Sequence, residues 1–311
     1  MADRAANDTS NCCILCWRLV RRCAMMRRMG KTWRLAASLA VTTVAVGTAC
    51  APVVENAATG SRNCNKESLS TLYPGIFTVG TDQPAYPPWY MGDDPTNGEG
   101  FESALAYAVA GHLGYGREEV RWVRVPFNGA LDAGPKTFDA NLSQFSITDQ
   151  RKAAVDFSSP YFEVTQVVVT TKSSPAARVR SIGDLKKVQL GVQVGTTSHT
   201  AAIAIDGDVP VEVYNTNADA KVALTNGEID ALVADLPTAF AVAGEMRGGG
   251  LIVGQLPANA EDVEQFGIVL DKDSALTRCV SSVVDVLRSD GTLSRLEDDW
   301  LAAAGKAPIL G

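Results

Sequence analysis

Ser146-Ile147-Thr148-Asp149-Gln150-Arg151 leads through Lys152-Ala153-Ala154-Val155 into Asp156-Phe157-Ser158-Ser159-Pro160-Tyr161. The first half reads as a strand end turning into a helix, with Thr148 as N-cap. Arg151 then falls in the first helical turn, where the macrodipole carries partial positive charge. A cation is badly placed there unless an anion lies between its guanidinium and free backbone N–H groups. Taken alone, a solvated surface arginine is the simpler explanation, so the surrounding loops decide.

Two stretches echo each other on either side of this segment. Ala130-Leu131, Gly134 and Asp139-Ala140 lead into the Ser146 loop, and Ala223-Leu224, Gly227 and Asp230-Ala231 lead into Val233-Ala234-Asp235. Each reads as helix end, glycine stop, strand, then a polar loop opening another helix. Repetition of that order is βαβ logic and predicts a parallel sheet in each half of an α/β protein. Ligands of such sheets bind outside the carboxyl ends of strands, which is where the polar loops lie. Gly75 to Gly80 and Val120 to Val125 read as strands, with Glu102 to Leu113 as a helix between them. The C-terminal part is helical, with Leu276, Val280, Val283, Val284 and Leu287 on one stripe. Trp300 lies on a second stripe, and we read it as core.

The chain has 311 residues, 46% hydrophobic and 20% charged, enough for two lobes and a sizeable core. Residues 1–49 hold eight Lys/Arg and two Asp/Glu, which leaves 20 basic and 33 acidic residues from position 50 onward, a net of -13. An acidic body argues against nucleic acid as a partner. Arg27, Arg28, Lys31 and Arg34 precede the apolar run Leu35–Val46, which at about 12 residues suits an export signal rather than a membrane span of ~20. Residues 1–25 upstream of it read as an over-extended start, with Met26 or Met29 as better initiators. Gly47-Thr48-Ala49-Cys50 resembles the lipobox of bacterial lipoproteins, which implies cleavage before Cys50 and a lipid on its sulfur. Cys64 and Cys279 then remain as an even pair in an oxidising compartment. They are expected as a disulfide, the alternative being two unpaired buried thiols.

Four loops carry the candidate chemistry. Besides Ser146–Arg151, Gly195-Thr196-Thr197-Ser198 opens a helix after an apolar strand and suits an anion. Asp235 ends the strand Ile229–Ala234, where it serves as an N-cap or grips an ammonium. Tyr86-Pro87-Pro88-Trp89-Tyr90 is an aromatic loop stiffened by prolines, with Phe127 near it in order. Each loop alone is explained structurally. Together they supply an anion grip, a cation grip and an apolar wall, the set a free α-amino acid requires.

At these residues the chain resembles the amino-acid-binding family of periplasmic solute receptors serving ABC importers, from about Gly75 to Leu301. Gly80-Thr81-Asp82, Gly100-Phe101-Glu102, Thr148-Asp149-Gln150-Arg151, Val155 to Tyr161, Gly195-Thr196-Thr197 and Asp230-Ala231…Asp235 stand in family order. The resemblance implies that Arg151 and Ser146 bind the ligand carboxylate from one lobe, and Thr196 and Thr197 from the other. It puts the ammonium on Asp235, the aromatic wall on Tyr86 and Phe127, and an acceptor on Asp82. Gln144 stands where many members carry glycine.

The resemblance also implies a type II two-lobed periplasmic binding protein, with two strand crossovers at the hinge near Tyr161–Thr171 and Gln265–Leu270. The expected division is 1–49 extension and signal, 50–70 tether, 71–165 first lobe, 166–262 second lobe, and 263–311 first lobe again. The implied partners are a free amino acid, the permease subunits of an ABC transporter, and the membrane through the lipid on Cys50; the receptor is expected as a monomer. No cofactor or metal is expected: no HExxH pattern or Ser–His–Asp set is present. Gln144, Gln193, Asn128, Tyr86 and Trp89 are the contacts left for the ligand side chain. None is charged, which favours a neutral polar ligand such as glutamine or asparagine. Arg124 is the candidate partner for an acidic ligand, and Glu99 or Glu102 for a basic one. The rival readings are a dehydratase-type enzyme on the same fold and a ligand-sensing accessory protein.

Overall fold

Two five-stranded sheets carry the chain in its structure, a computed structural model describing residues 64–257, 263–302 and 306–311. The export signal, Cys50 and most of the expected tether lie outside these residues. The described residues belong to one compact unit, Gly60–Gly311.

Strand β1 (Phe77–Thr81) is buried along its whole length, as a strand covered on both faces must be. Helix α1 (Phe101–His112) starts at Gly100, whose φ of 99° and close approach to the Trp89 backbone suit only glycine. Strand β2 (Val120–Arg124), the short helix α2 (Phe127–Leu131), β3 (Ala140–Asn141), the one-turn helix α3 (Asp149–Lys152) and β4 (Val155–Phe157) complete the outward path. Strand β5 (Phe162–Val164) leaves this lobe.

The second lobe opens with β6 (Gln166–Thr171) and α4 (Ile182–Leu185). It continues with β7 (Leu190–Gln193), α5 (Thr197–Ala204), β8 (Glu212–Tyr214), α6 (Asn217–Asn226), β9 (Ala231–Asp235), α7 (Leu236–Glu245) and β10 (Gly250–Gln255). Residues alternate across its sheet: Val168 packs in one core cluster, Val167 and Val169 in the other. Both faces are therefore covered.

Strand β11 (Glu264–Phe266) pairs antiparallel with β5 as the second crossover. Strand β12 (Val269–Asp271) then re-enters the first sheet, followed by α8 (Thr277–Ser289) and α9 (Thr292–Trp300). Val280, Val283, Val284 and Leu287 of α8 are buried against the first sheet's core, and Trp300 packs on it.

The sheet orders are β2-β1-β3-β12-β4 and β10-β6-β9-β7-β8. Each has three parallel strands at one side, β2-β1-β3 and β9-β7-β8, as βαβ order requires. The expected parallel sheets are nevertheless mixed. β12 and β6 arrive straight from a crossover, without a returning helix, and so run antiparallel to their neighbours. The chain end also differs from the expected 263–311 boundary. Ile309 bridges Gln255, Leu310 lies in a second-lobe core cluster, and the Ile182 N–H donates to Gly311 O.

Cys64 and Cys279 form a disulfide with Cα atoms 5.5 Å apart, tying the start of the described chain to α8.

Candidate functional site

Arg151 is placed by a short local device. Thr148 Oγ1 accepts from the Arg151 N–H at 3.2 Å, capping the one turn of α3. The guanidinium then folds back, donating to Ser146 O at 2.7 Å and to Gly195 O, from the second lobe, at 3.0 Å. It also stands 5.4 Å from the centre of the Phe127 ring. Burial lowers its pKa to about 10, opposed by the nearby Glu264 carboxylate, so it stays charged at neutral pH. This is no solvated surface arginine.

Facing it, Thr196 caps α5 by accepting from the His199 N–H, and Gly195 supplies the preceding turn. Gly195 has a φ of 76°, and an added Cβ would lie 2.0 Å from Asn128 Oδ1. Asp235 caps α7, Oδ1 accepting from the Thr238 N–H at 2.9 Å. Its carboxyl is buried, which raises its pKa from 3.8 to about 6. Tyr86 reaches across the lobes, its hydroxyl accepting from the Ala218 N–H at 3.1 Å.

One cleft between the lobes is lined by ten of the residues singled out from the sequence: Asp82, Tyr86, Phe127, Gln144, Ser146, Arg151, Gln193, Thr196, Thr197 and Asp235. The Ser146 and Thr197 hydroxyls meet across it at 3.1 Å. The cleft therefore presents a guanidinium, two carboxyl groups and several hydroxyls to one small volume, together with the rings of Phe127, which stacks on Phe145, and Phe266. Burial raises the Asp82 pKa, against the pull of the Gln83 and Phe127 N–H groups and Arg124.

Other candidates go elsewhere. Trp89 is fully buried among Phe101, Phe162 and Phe266, and its Nε1 donates to Thr238 Oγ1 at 2.8 Å across the lobes. Asn128 lines a neighbouring groove. Arg124 pairs with Asp93 at 3.0 Å and donates to Asp82 O at 2.6 Å, so it braces the Asp82 loop. Glu102 is fully buried behind the cleft, where Gln144 and Tyr161 donate to it. Two of those bonds come from Gln144, through its N–H and its Nε2. They hold Gln144 at a φ of 53°, the left-handed conformation that glycine adopts without strain. Burial raises the Glu102 pKa from 4.5 to about 7.

Sequence reasoning missed Gln166, Asn217 and Phe266, which also line the cleft, and Glu264, which bonds to Ser146 and Thr197. Phe266 comes from the crossover strand β11 and Gln166 from the first residue of β6, just past the other crossover, and no local pattern announces their meeting.

Two α/β lobes joined by paired crossover strands, with a polar cleft between them, define a type II periplasmic binding protein. Residues 77–303 match the bacterial extracellular solute-binding proteins, family 3, and the chain belongs to that family. The L-arginine-binding protein of Pseudomonas aeruginosa is 29% identical over 249 residues, 76% of this chain and 93% of the relative. Among solved structures, an ancestral arginine-binding protein bound to glutamine is 31% identical, with a TM-score of 0.63, over 73% of this chain and 98% of that one. The ancestral amino acid-binding protein AncCDT-1, a precursor of cyclohexadienyl dehydratase, is 32% identical with a TM-score of 0.61, over 73% of this chain and 95% of that one.

Proposed function

We propose that this chain is an extracytoplasmic receptor, lipid-anchored through Cys50, that binds a free L-amino acid and delivers it to the permease subunits of an ABC importer. The observation that carries the ligand class is the convergence of Arg151 and Asp235, one from each lobe, on a single cleft. A zwitterion offers each its opposite charge, Arg151 with Ser146, Thr196 and Thr197 taking the carboxylate and Asp235 the ammonium. Binding to both lobes at once favours the closed arrangement, which is how such a receptor signals that it is loaded.

The remaining lining, Asp82, Tyr86, Gln144 and Gln193, calls for a polar side chain with N–H donors. Glutamine or asparagine meets it without adding a charge. The Asp82 carboxylate favours a second reading, a cationic amino acid such as arginine, because a half-buried carboxylate gains from a paired cation. The P. aeruginosa relative supports that reading and the glutamine-bound ancestral structure the first.

A thermal-shift panel of the twenty amino acids with ornithine and citrulline tests both. At a hundredfold excess over Kd the true ligand should add ~2.7 kcal/mol of stability. Arg151→Ala should cost ~2–5 kcal/mol of binding and remove the shift. Equal binding by Arg151→Ala would sink the carboxylate assignment. Recovery of the ligand unchanged after long incubation is expected of a receptor, whereas a dehydrated product by mass would establish an enzyme.

A further inference from the structure

Glu264, on the crossover strand β11, reaches the mouth of the anion grip. Its Oε1 accepts from Ser146 Oγ at 2.5 Å and from Thr197 Oγ1 at 2.6 Å, one hydroxyl from each lobe. Gln166 Nε2, at the start of β6 just past the other crossover, donates to both of its oxygens at 3.1 and 2.9 Å. The same carboxylate is the charge that acts on the Arg151 guanidinium. Two hydroxyls assigned to the ligand carboxylate thus already serve a carboxylate of the chain, whose charge the Arg151 guanidinium feels without a direct bond to it.

We propose that Glu264 is an internal competitor for the ligand's α-carboxylate. It supplies the counter-charge a buried guanidinium needs, and it must swing away when an amino acid enters, because two carboxylates cannot share one grip without like-charge repulsion. The inference rests on the proposed carboxylate-binding role of Arg151, Ser146 and Thr197. A competitor built into the chain lowers apparent affinity by the fraction of time it occupies the site. It affects every amino acid alike, since all share the α-carboxylate, and so sets the affinity range of the receptor without selecting among side chains.

The test is calorimetric titration of the exported chain, Glu264→Gln and Glu264→Ala with L-glutamine and with L-arginine, with Arg151→Ala alongside. Each variant's melting temperature without amino acid is recorded, so that loss of folding is recognised. Glu264→Gln and Glu264→Ala should bind tighter than the native chain, by about tenfold, with similar gains for whichever probes bind. Equal or weaker binding by both folded variants overturns the competitor and makes Glu264 a latch between the lobes. Native-like binding by Arg151→Ala overturns the underlying carboxylate reading, whatever the Glu264 variants do. Absence of binding by every variant overturns both.

Discussion

Among single residues, two buried acids give the molecule a pH dependence. Burial raises Asp235 from 3.8 to about 6 and Glu102 from 4.5 to about 7. Between about pH 4 and 7 the folded chain therefore holds protons that the unfolded chain has released. Stability falls as pH rises through that window, because the folded state binds more protons there. Melting temperatures at pH 4.5, 6 and 7.5 should decline in that order, and Glu102→Gln should flatten the upper part. Ligand affinity should run the other way. An ammonium needs Asp235 ionised, so binding should strengthen from pH 5 to 7, and Asp235→Asn should weaken it and remove that slope. The identity and local setting of these groups were readable: a strand-end aspartate before Leu-Pro, and an arginine after Thr148-Asp149-Gln150. Burial was not readable for Glu102, which stood as a candidate partner for a basic ligand and lies instead against Gln144 and Tyr161.

At the level of elements, the site is assembled from helix beginnings. α3, α5 and α7 start at Thr148, Thr196 and Asp235, each accepting from an N–H of its own first turn. Thr148→Ala should cost ~1 kcal/mol in urea unfolding, the usual worth of a cap, and should weaken binding by loosening the turn that aims Arg151. These caps are local in sequence, which is why the helix entrances at Thr148, Thr196 and Asp235 could be named from the residues alone, whereas the assignment of individual side chains to a ligand came from the family resemblance. Strand direction was only half readable. Helical connections force parallel neighbours, but a chain re-entering a sheet straight from a crossover runs the other way, as β6 and β12 do.

Across the whole molecule, the Cys64–Cys279 disulfide closes a loop of sequence separation 215. Cys64→Ser with Cys279→Ser should lower stability by ~2–5 kcal/mol, measured against the native chain in urea. Reductant should lower the native melting temperature and leave the double variant unchanged. The closed arrangement is held by bonds between partners far apart in sequence, Arg151 to Gly195, Tyr86 to Ala218 and Trp89 to Thr238. Periodicity, caps and residue order were enough for the α/β class and the loops that carry the site, because these depend on neighbours within a few residues; the two-lobed plan came from the resemblance to a known family. Which side chains meet between the lobes depends on where two crossover strands bring distant segments together. That is why Glu264, 118 residues from Ser146, bonds to it while Trp89, inside the aromatic loop, turns away into the core.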